Sequence, residues 1–118
     1  MLRSLICILI SLAAADYVVY ADKELEANIP QSEQSIRISF PWEPRNKWIL
    51  MEATGEKFGD LSGSKGWHNH EENRQEFPIM CNLYYADHDS CREGTHEFTF
   101  FRRQLFGLET KVIKINYV

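Results

Sequence analysis

Two segments of the chain place a large apolar side chain at every second position. They are QSIRISF and TKVIKINYV. Their apolar positions are Ile36, Ile38 and Phe40 in the first segment, and Ile113, Ile115 and Tyr117 in the second. Because successive side chains of a strand point to opposite faces of a sheet, this period of two predicts strands that are buried on one face. The chain is therefore constrained to fold around sheets with one apolar side.

Glycine and proline divide the remaining sequence into further strand-like segments. These are KWILMEA, FPIMCNLYY and THEFTFF, with a short Phe58–Leu61 strand inside the glycine-rich TGEKFGDLSGSKG. Pro41 and Pro44 end the first alternating segment because proline cannot donate to a sheet ladder. Several short strands punctuated in this way favour an all-β sandwich, which we expect as a single domain over residues 35–118.

The segment before this domain has a weaker pattern. Residues 21–29, ADKELEANI, have good helix propensity, but the stretch is short and ends before Pro30. We therefore expect residues 16–34 to form a flexible leader.

The N-terminal residues have the layout of a cleavable secretory signal. Arg3 is followed by an apolar run over residues 5–12 and by three alanines that end at Ala15. This run is far shorter than the roughly 20 residues that span a bilayer, so a signal peptide at 1–15 is favoured over a short membrane anchor. Cleavage is expected after Ala15, with Ala21 as second choice. The pattern predicts a secreted, extracellular protein without a transmembrane segment in its mature form.

The charge balance argues against nucleic acid as a partner. The 118 residues carry 13 basic and 17 acidic side chains, a net charge of −4. Cleavage after Ala15 would remove Arg3 and leave 12 basic against 17 acidic side chains, a charge of −5. An acidic chain without a basic stripe lacks the electrostatic footprint of a phosphate-binding surface.

The stretch CNLYYADHDSC contains two cysteines, and their expected chemistry depends on the compartment. In an oxidising environment, Cys81 and Cys91 are predicted to form a disulfide across a chain reversal. A zinc site with His88 is the alternative, but the segment lacks the paired ligands two to four residues apart that are typical of such sites. A redox pair is disfavoured because the spacing is not Cys-x-x-Cys.

A second group of possible metal ligands lies in GWHNHEENRQEF. On an extended segment, His68 and His70 project to the same side, with Glu72 next on that face. Without a distant third ligand they are more simply solvated loop residues, and we expect no cofactor. No nucleophile or metalloprotease motif is present, so the sequence favours a protein that is not an enzyme.

Aromatic residues give the clearest suggestion of a binding surface. Trp42 and Trp48 bracket the loop sequence EPRNK, and Phe101 falls on the opposite side of its strand from Phe98 and Phe100. The simplest interpretation is a two-sheet core with an edge contact. The alternative is an exposed patch for a lipid or protein partner. The candidate ligand-binding residues are Trp42, Trp48, Phe101, Arg102 and Arg103.

Two motifs resemble those of the nematode transthyretin-like family of small secreted β-sandwich proteins. EATGEKFGDLSGS is similar to the family's Thr-Asp-x-x-Gly-x-Phe-x-Leu-x-Gly hairpin, and NLYYADHDSCR is similar to its tyrosine and cysteine motif, with Cys91 in the expected place. Cys81 lies upstream of the position of the family's first cysteine. The resemblance covers about residues 34–118 and implies a transthyretin-like or immunoglobulin-like β-sandwich.

The resemblance also implies function by binding. The family includes proteins thought to carry or bridge ligands, one described role being recognition of phosphatidylserine on dying cells. We therefore expect a secreted binding protein whose partner is a protein, a lipid or a small apolar ligand. The alternative is a secreted effector or inhibitor that binds a protein through aromatic loops such as PWEPRNKW. A metal-assisted hydrolase built on His68 and His70 is the third possibility.

Overall fold

Strands and turns make up the described part of the molecule, which is a computed structural model covering residues 17–33, 35–53, 63–79 and 93–118. The strands within these ranges are β1 (Tyr17–Tyr20), β2 (Glu26–Ile29), β3 (Ile36–Pro41), β4 (Ile49–Ala53), β5 (Trp67–Asn69), β6 (Arg74–Ile79), β7 (Gly94–Gln104) and β8 (Gly107–Tyr117).

The strands form two mixed sheets. One has the order β1-β3-β6-β5 and the other β2-β8-β7-β4. β1 runs parallel to β3 and β2 runs parallel to β8, whereas the remaining neighbours are antiparallel. The chain therefore changes sheets between β1 and β2, and each sheet receives one short parallel strand at its edge.

A single apolar core lies between the sheets. Phe40 of β3 is at its centre, with ring centroids 4.9 Å from those of Trp48 and Phe100 and 5.8 Å from that of Phe77. Because Phe40 and Phe77 belong to one sheet and Phe100 to the other, these contacts join the two layers. This is the arrangement of a β-sandwich, and the all-β, single-domain prediction is confirmed.

The two alternating segments have the predicted orientation. The apolar residues predicted to face inward are all in the core: Ile36, Ile38, Phe40, Ile113, Ile115 and Tyr117. Phe98 and Phe100 are also fully buried, whereas Phe101 on the other face of β7 is only half-buried. No helix in the described residues is long and apolar enough to cross a membrane.

The expectation of a flexible leader over residues 16–34 is wrong, since β1 and β2 lie within it. Val19 and Ile29 are fully buried in the core. Four-residue strands have little stability alone, so the order of these segments depends on their pairing with β3 and β8. The sandwich thus begins before residue 35.

Several predictions fall outside the described residues. These are the signal peptide at 1–15, the Phe58–Leu61 strand and the Cys81–Cys91 disulfide.

Candidate functional site

Three connections lie together at one end of the sandwich, which we call the loop end. They are residues 42–48 between β3 and β4, residues 70–73 between β5 and β6, and residues 105–106 between β7 and β8. In one sheet, the end of β3 pairs with the start of β6. In the other sheet, the end of β7 pairs with the starts of β4 and β8. The strand registers therefore bring the three connections to the same end. A direct contact joins the first two, since the backbone N–H of Trp42 donates to the carbonyl of Asn73 at 3.3 Å.

The β7–β8 hairpin projects beyond the rest of its sheet. β4 pairs with β7 only as far as Ile49 and Phe101, while three further residue pairs extend the hairpin to Gln104 and Gly107. At 3.4 Å per residue, three pairs carry the turn about 10 Å beyond the start of β4. The turn residues Leu105 and Phe106, which we call the hairpin tip, are thus held away from the core.

The hairpin tip is apolar and almost completely solvent-exposed. Leu105 is 89% exposed and Phe106 is 93% exposed. Gly107 follows with a φ of 110°, a left-handed value that only glycine adopts without strain and that closes a tight hairpin turn. Two large apolar side chains at an exposed turn have no role in the core, so they are candidates for contact with a partner.

An aromatic stack involves the connection of residues 42–48, which we call the first loop. The Trp42 indole and His68 imidazole are parallel within 5°, with centroids 3.6 Å apart, and the His70 ring is 3.9 Å from that of His68. The Nζ of Lys47 lies 5.1 Å from the centroid of Trp42. Trp42 is partly exposed at the loop end, and one face of its indole is covered by His68.

The two histidines predicted as possible metal ligands do lie side by side. His68 Nε2, however, is 3.1 Å from Oδ1 of Asn73, a hydrogen-bond distance. Across the described ranges, no group of three or more histidine, cysteine, aspartate or glutamate side chains is arranged to hold a metal. His68, at the end of the sheet in β5, stacks on Trp42, and His70, in the following turn, packs on His68.

Trp48 is not a surface residue, contrary to its selection as a ligand-binding candidate. It is 3% exposed, and its ring stacks on Phe40. The Arg102 guanidinium covers the ring at 4.4 Å and donates to Glu109 at 2.8 Å and 3.2 Å. Trp48 and Arg102 were both predicted as ligand-binding residues. Their side chains instead contact other residues of the fold and stabilise the base of the loop end.

A buried glutamine that the sequence analysis did not select holds two loops in place. The side chain of Gln75 is 1% exposed and accepts from the backbone N–H of Trp48 at 2.9 Å. Its Nε2 donates to the carbonyls of Trp48 at 2.7 Å and Lys65 at 2.8 Å. The signal in the sequence was the spacing of two residues between Gln75 and Phe77, which places both side chains on the same face of a strand.

Phe101 and Arg103 lie close together on one surface. With the first loop they line an open pocket of about 420 Å³, which we call the basic pocket. Its lining residues are Pro44, Arg45, Asn46, Lys47, Ile49, Lys65, Phe101 and Arg103. Four cations and no carboxylate in the lining give this surface a positive charge within an acidic chain.

Comparison with known proteins gives similarity in fold. No protein-family model matches the chain, and no curated protein matches it significantly in sequence. Among solved structures, it is similar to the crystal structure of a cysteine protease inhibitor from Entamoeba histolytica, with a TM-score of 0.55. The similarity covers 87% of this chain and 95% of the other at 11% identity. The two proteins therefore share a fold class.

Proposed function

We propose that this protein binds a protein partner through the loop end and inhibits it, and that the partner is a cysteine protease. The observation that carries the proposal is the exposed hairpin tip, Leu105 and Phe106, on a projecting two-stranded arm. An exposed pair of large apolar residues contributes most to the free energy of binding when it enters a pocket of a partner and is removed from water.

The base of the loop end supports tight binding because it is ordered before the partner arrives. Gln75 fixes the backbone at Trp48 and Lys65, and Arg102 lies between Trp48 and Glu109. A surface that is already ordered loses less conformational entropy on association. This favours inhibition by a rigid wedge over folding upon binding.

The choice of a cysteine protease is supported by the similarity in fold to an inhibitor of that class. It also agrees with the sequence-based alternative of an inhibitor that uses aromatic loops, here represented by Trp42. In this proposal the protein acts by binding and not by catalysis, and it is secreted, as the N-terminal pattern predicts.

The proposal is tested by titrating the purified protein into a papain-type cysteine protease and following hydrolysis of a fluorogenic peptide. A serine protease serves as the control enzyme. We expect stoichiometric or near-stoichiometric loss of the cysteine protease activity alone. Equal activity with and without the protein, across several papain-type enzymes, would remove the protease from the proposal.

Lipid binding, which the family resemblance implies, remains a separate prediction. Co-sedimentation with phosphatidylserine vesicles, using phosphatidylcholine vesicles as the control, distinguishes it from protein binding. Strong sedimentation together with no protease inhibition would favour the lipid-binding function.

A further inference from the structure

We propose that the basic pocket binds an acidic side chain of the protein partner, next to the contact made by the hairpin tip. This inference rests on the proposed function because it assigns a second chemical requirement to the same partner. The partner would present an apolar cleft to Leu105 and Phe106 and a glutamate or aspartate to the pocket.

The charge of the pocket is the first argument. Its cations are Arg45, Lys47, Lys65 and Arg103, and all four are solvent-exposed. The ion pairs formed among the described residues all lie elsewhere in the fold. Four cations that line one recess and form no ion pair among the described residues repel one another, and an incoming carboxylate relieves this repulsion while accepting charge-assisted hydrogen bonds.

The shape of the pocket is the second argument. Ile49 and Phe101 are opposite each other in the β4–β7 register, both half-buried, and they provide apolar surface beside the cations. An acidic side chain has a short aliphatic stem below its carboxylate. The stem can pack on these two residues while the carboxylate reaches the guanidinium and ammonium groups.

The position of the pocket is the third argument. Arg103 pairs with Leu108 across the projecting part of the hairpin, and Leu108 is 58% exposed. Leu108 is three residues from Leu105, so apolar surface leads from the tip to the pocket along one arm. A single partner that covers the tip would therefore also meet the cations.

An acidic protein segment fits this surface better than an anionic membrane or a nucleic acid does. A recess admits one side chain, whereas a membrane presents a flat plane of headgroups. The net charge of −4 on the whole chain would oppose broad contact with either polyanion. Four cations confined to one pocket are also too few to follow a phosphate backbone.

The pocket is tested without the protease by NMR, which detects weak binding. The ¹⁵N-labelled protein is titrated with a synthetic heptaglutamate peptide, and then with heptaglutamine. The Arg45→Gln/Lys65→Gln variant is compared with Lys23→Gln/Lys114→Gln, which removes the same charge outside the pocket. We expect heptaglutamate alone to shift the amides of residues 45–49, 65 and 101–103. The pocket variant should bind it at least about tenfold more weakly, while the control variant stays within about twofold of the wild type.

Equal weakening in both variants would overturn the proposal, because binding would then follow net charge alone. Absence of shifts at the pocket with the wild type would overturn it as well, and so would binding of phosphatidylserine vesicles there in place of the peptide. If heptaglutamate shifts the pocket amides but the protein inhibits no protease, the choice of protease is rejected and the binding site for an acidic group is still supported. Inhibition that is unchanged in the pocket variant would leave the proposed function and remove the pocket from it.

Discussion

The side chain of Gln75 and the backbone of Trp48 form a reciprocal pair of hydrogen bonds inside the core. Gln75 accepts from the Trp48 N–H at 2.9 Å and donates to the Trp48 carbonyl at 2.7 Å. A side-chain amide therefore replaces the strand partner that this part of the first loop lacks. The pair connects the core of the sandwich to the loop end.

Replacing Gln75 should destabilise the protein and loosen the first loop together. In Gln75→Leu, two buried backbone groups of Trp48 lose their partners, and we expect the free energy of unfolding to fall by about 2–4 kcal/mol. Urea denaturation measures this. Gln31→Leu, at an exposed turn position, is the control and should change stability by less than about 0.5 kcal/mol. Equal stability of the two variants would show that the amide does not hold the loop.

Substitution of Gly63 and Gly66, the two glycines near β5, distinguishes the cost of backbone strain from the cost of a steric clash. A Cβ on Gly66 would lie 2.2 Å from the carbonyl oxygen of Glu76, whereas a Cβ on Gly63 would have no atom within 4 Å. Both have positive φ, 62° and 84°. Gly63→Ala should cost about 1 kcal/mol by strain alone, and Gly66→Ala clearly more because the backbone must also move. Thermal unfolding of the two variants tests the order, and a smaller loss for Gly66→Ala would contradict it.

The ion pair between Asp22 and Arg74 predicts a pH dependence at the acidic end. The hydrogen bond from the Arg74 guanidinium holds the pKa of the Asp22 carboxyl below its ordinary value of 3.8. A depressed pKa contributes stability above the unfolded value, and this contribution is lost as the pH falls through the folded value. Asp22→Asn should thus lower the free energy of unfolding by about 1 kcal/mol or less at neutral pH, since the pair is partly solvated.

Below a pH of about 4, the difference in the free energy of unfolding between the wild type and Asp22→Asn should shrink, because the wild-type carboxyl becomes protonated there. Denaturant titrations at several pH values measure this, with Glu24→Gln as a control at an exposed neighbouring position. A difference that grows as the pH falls would have the wrong sign for this ion pair.

The Trp42–His68 stack predicts a spectroscopic signature. An imidazole 3.6 Å from a parallel indole lies in the ring-current field of the tryptophan. Trp42→Ala should move the His68 ring protons toward their values in an unfolded chain and lower stability by about 1 kcal/mol. Trp67→Ala, which removes a tryptophan that is 47% exposed, is the comparison. Unchanged His68 shifts in Trp42→Ala would contradict the stack.

The local sequence pattern was sufficient to predict β3 and β8 and insufficient to predict the short N-terminal strands β1 and β2. The alternation in β3 and β8 places every second side chain on an apolar face, so the burial of Ile38 and Ile115 could be read from sequence. β1 and β2 have only four residues each, and their order comes from parallel pairing with strands distant in the chain. The sequence of a four-residue segment contains no signal for pairing with a strand far away in the chain.

The candidate site was predictable in composition but not in detail. The sequence indicated an aromatic loop and a cluster at Phe101 and Arg103, and both lie at or beside the loop end. It could not distinguish the partly exposed Trp42 from the buried Trp48, because burial depends on the opposite sheet. The hairpin tip was missed because Leu105 and Phe106 look like strand residues. The available signal was the Phe-Gly step at Gly107, which permits the left-handed turn.

The measurement that tests the central claim most directly is inhibition of a papain-type protease by the Leu105→Ser/Phe106→Ser variant. Val118→Ser is the control, since Val118 is 69% exposed but follows β8 at the opposite end of the sandwich. Removing two anchor side chains should weaken inhibition at least about a hundredfold, with folding unchanged because neither side chain is in the core. The control should inhibit like the wild type. Equal inhibition constants for the tip variant and the wild type would contradict binding through the loop end.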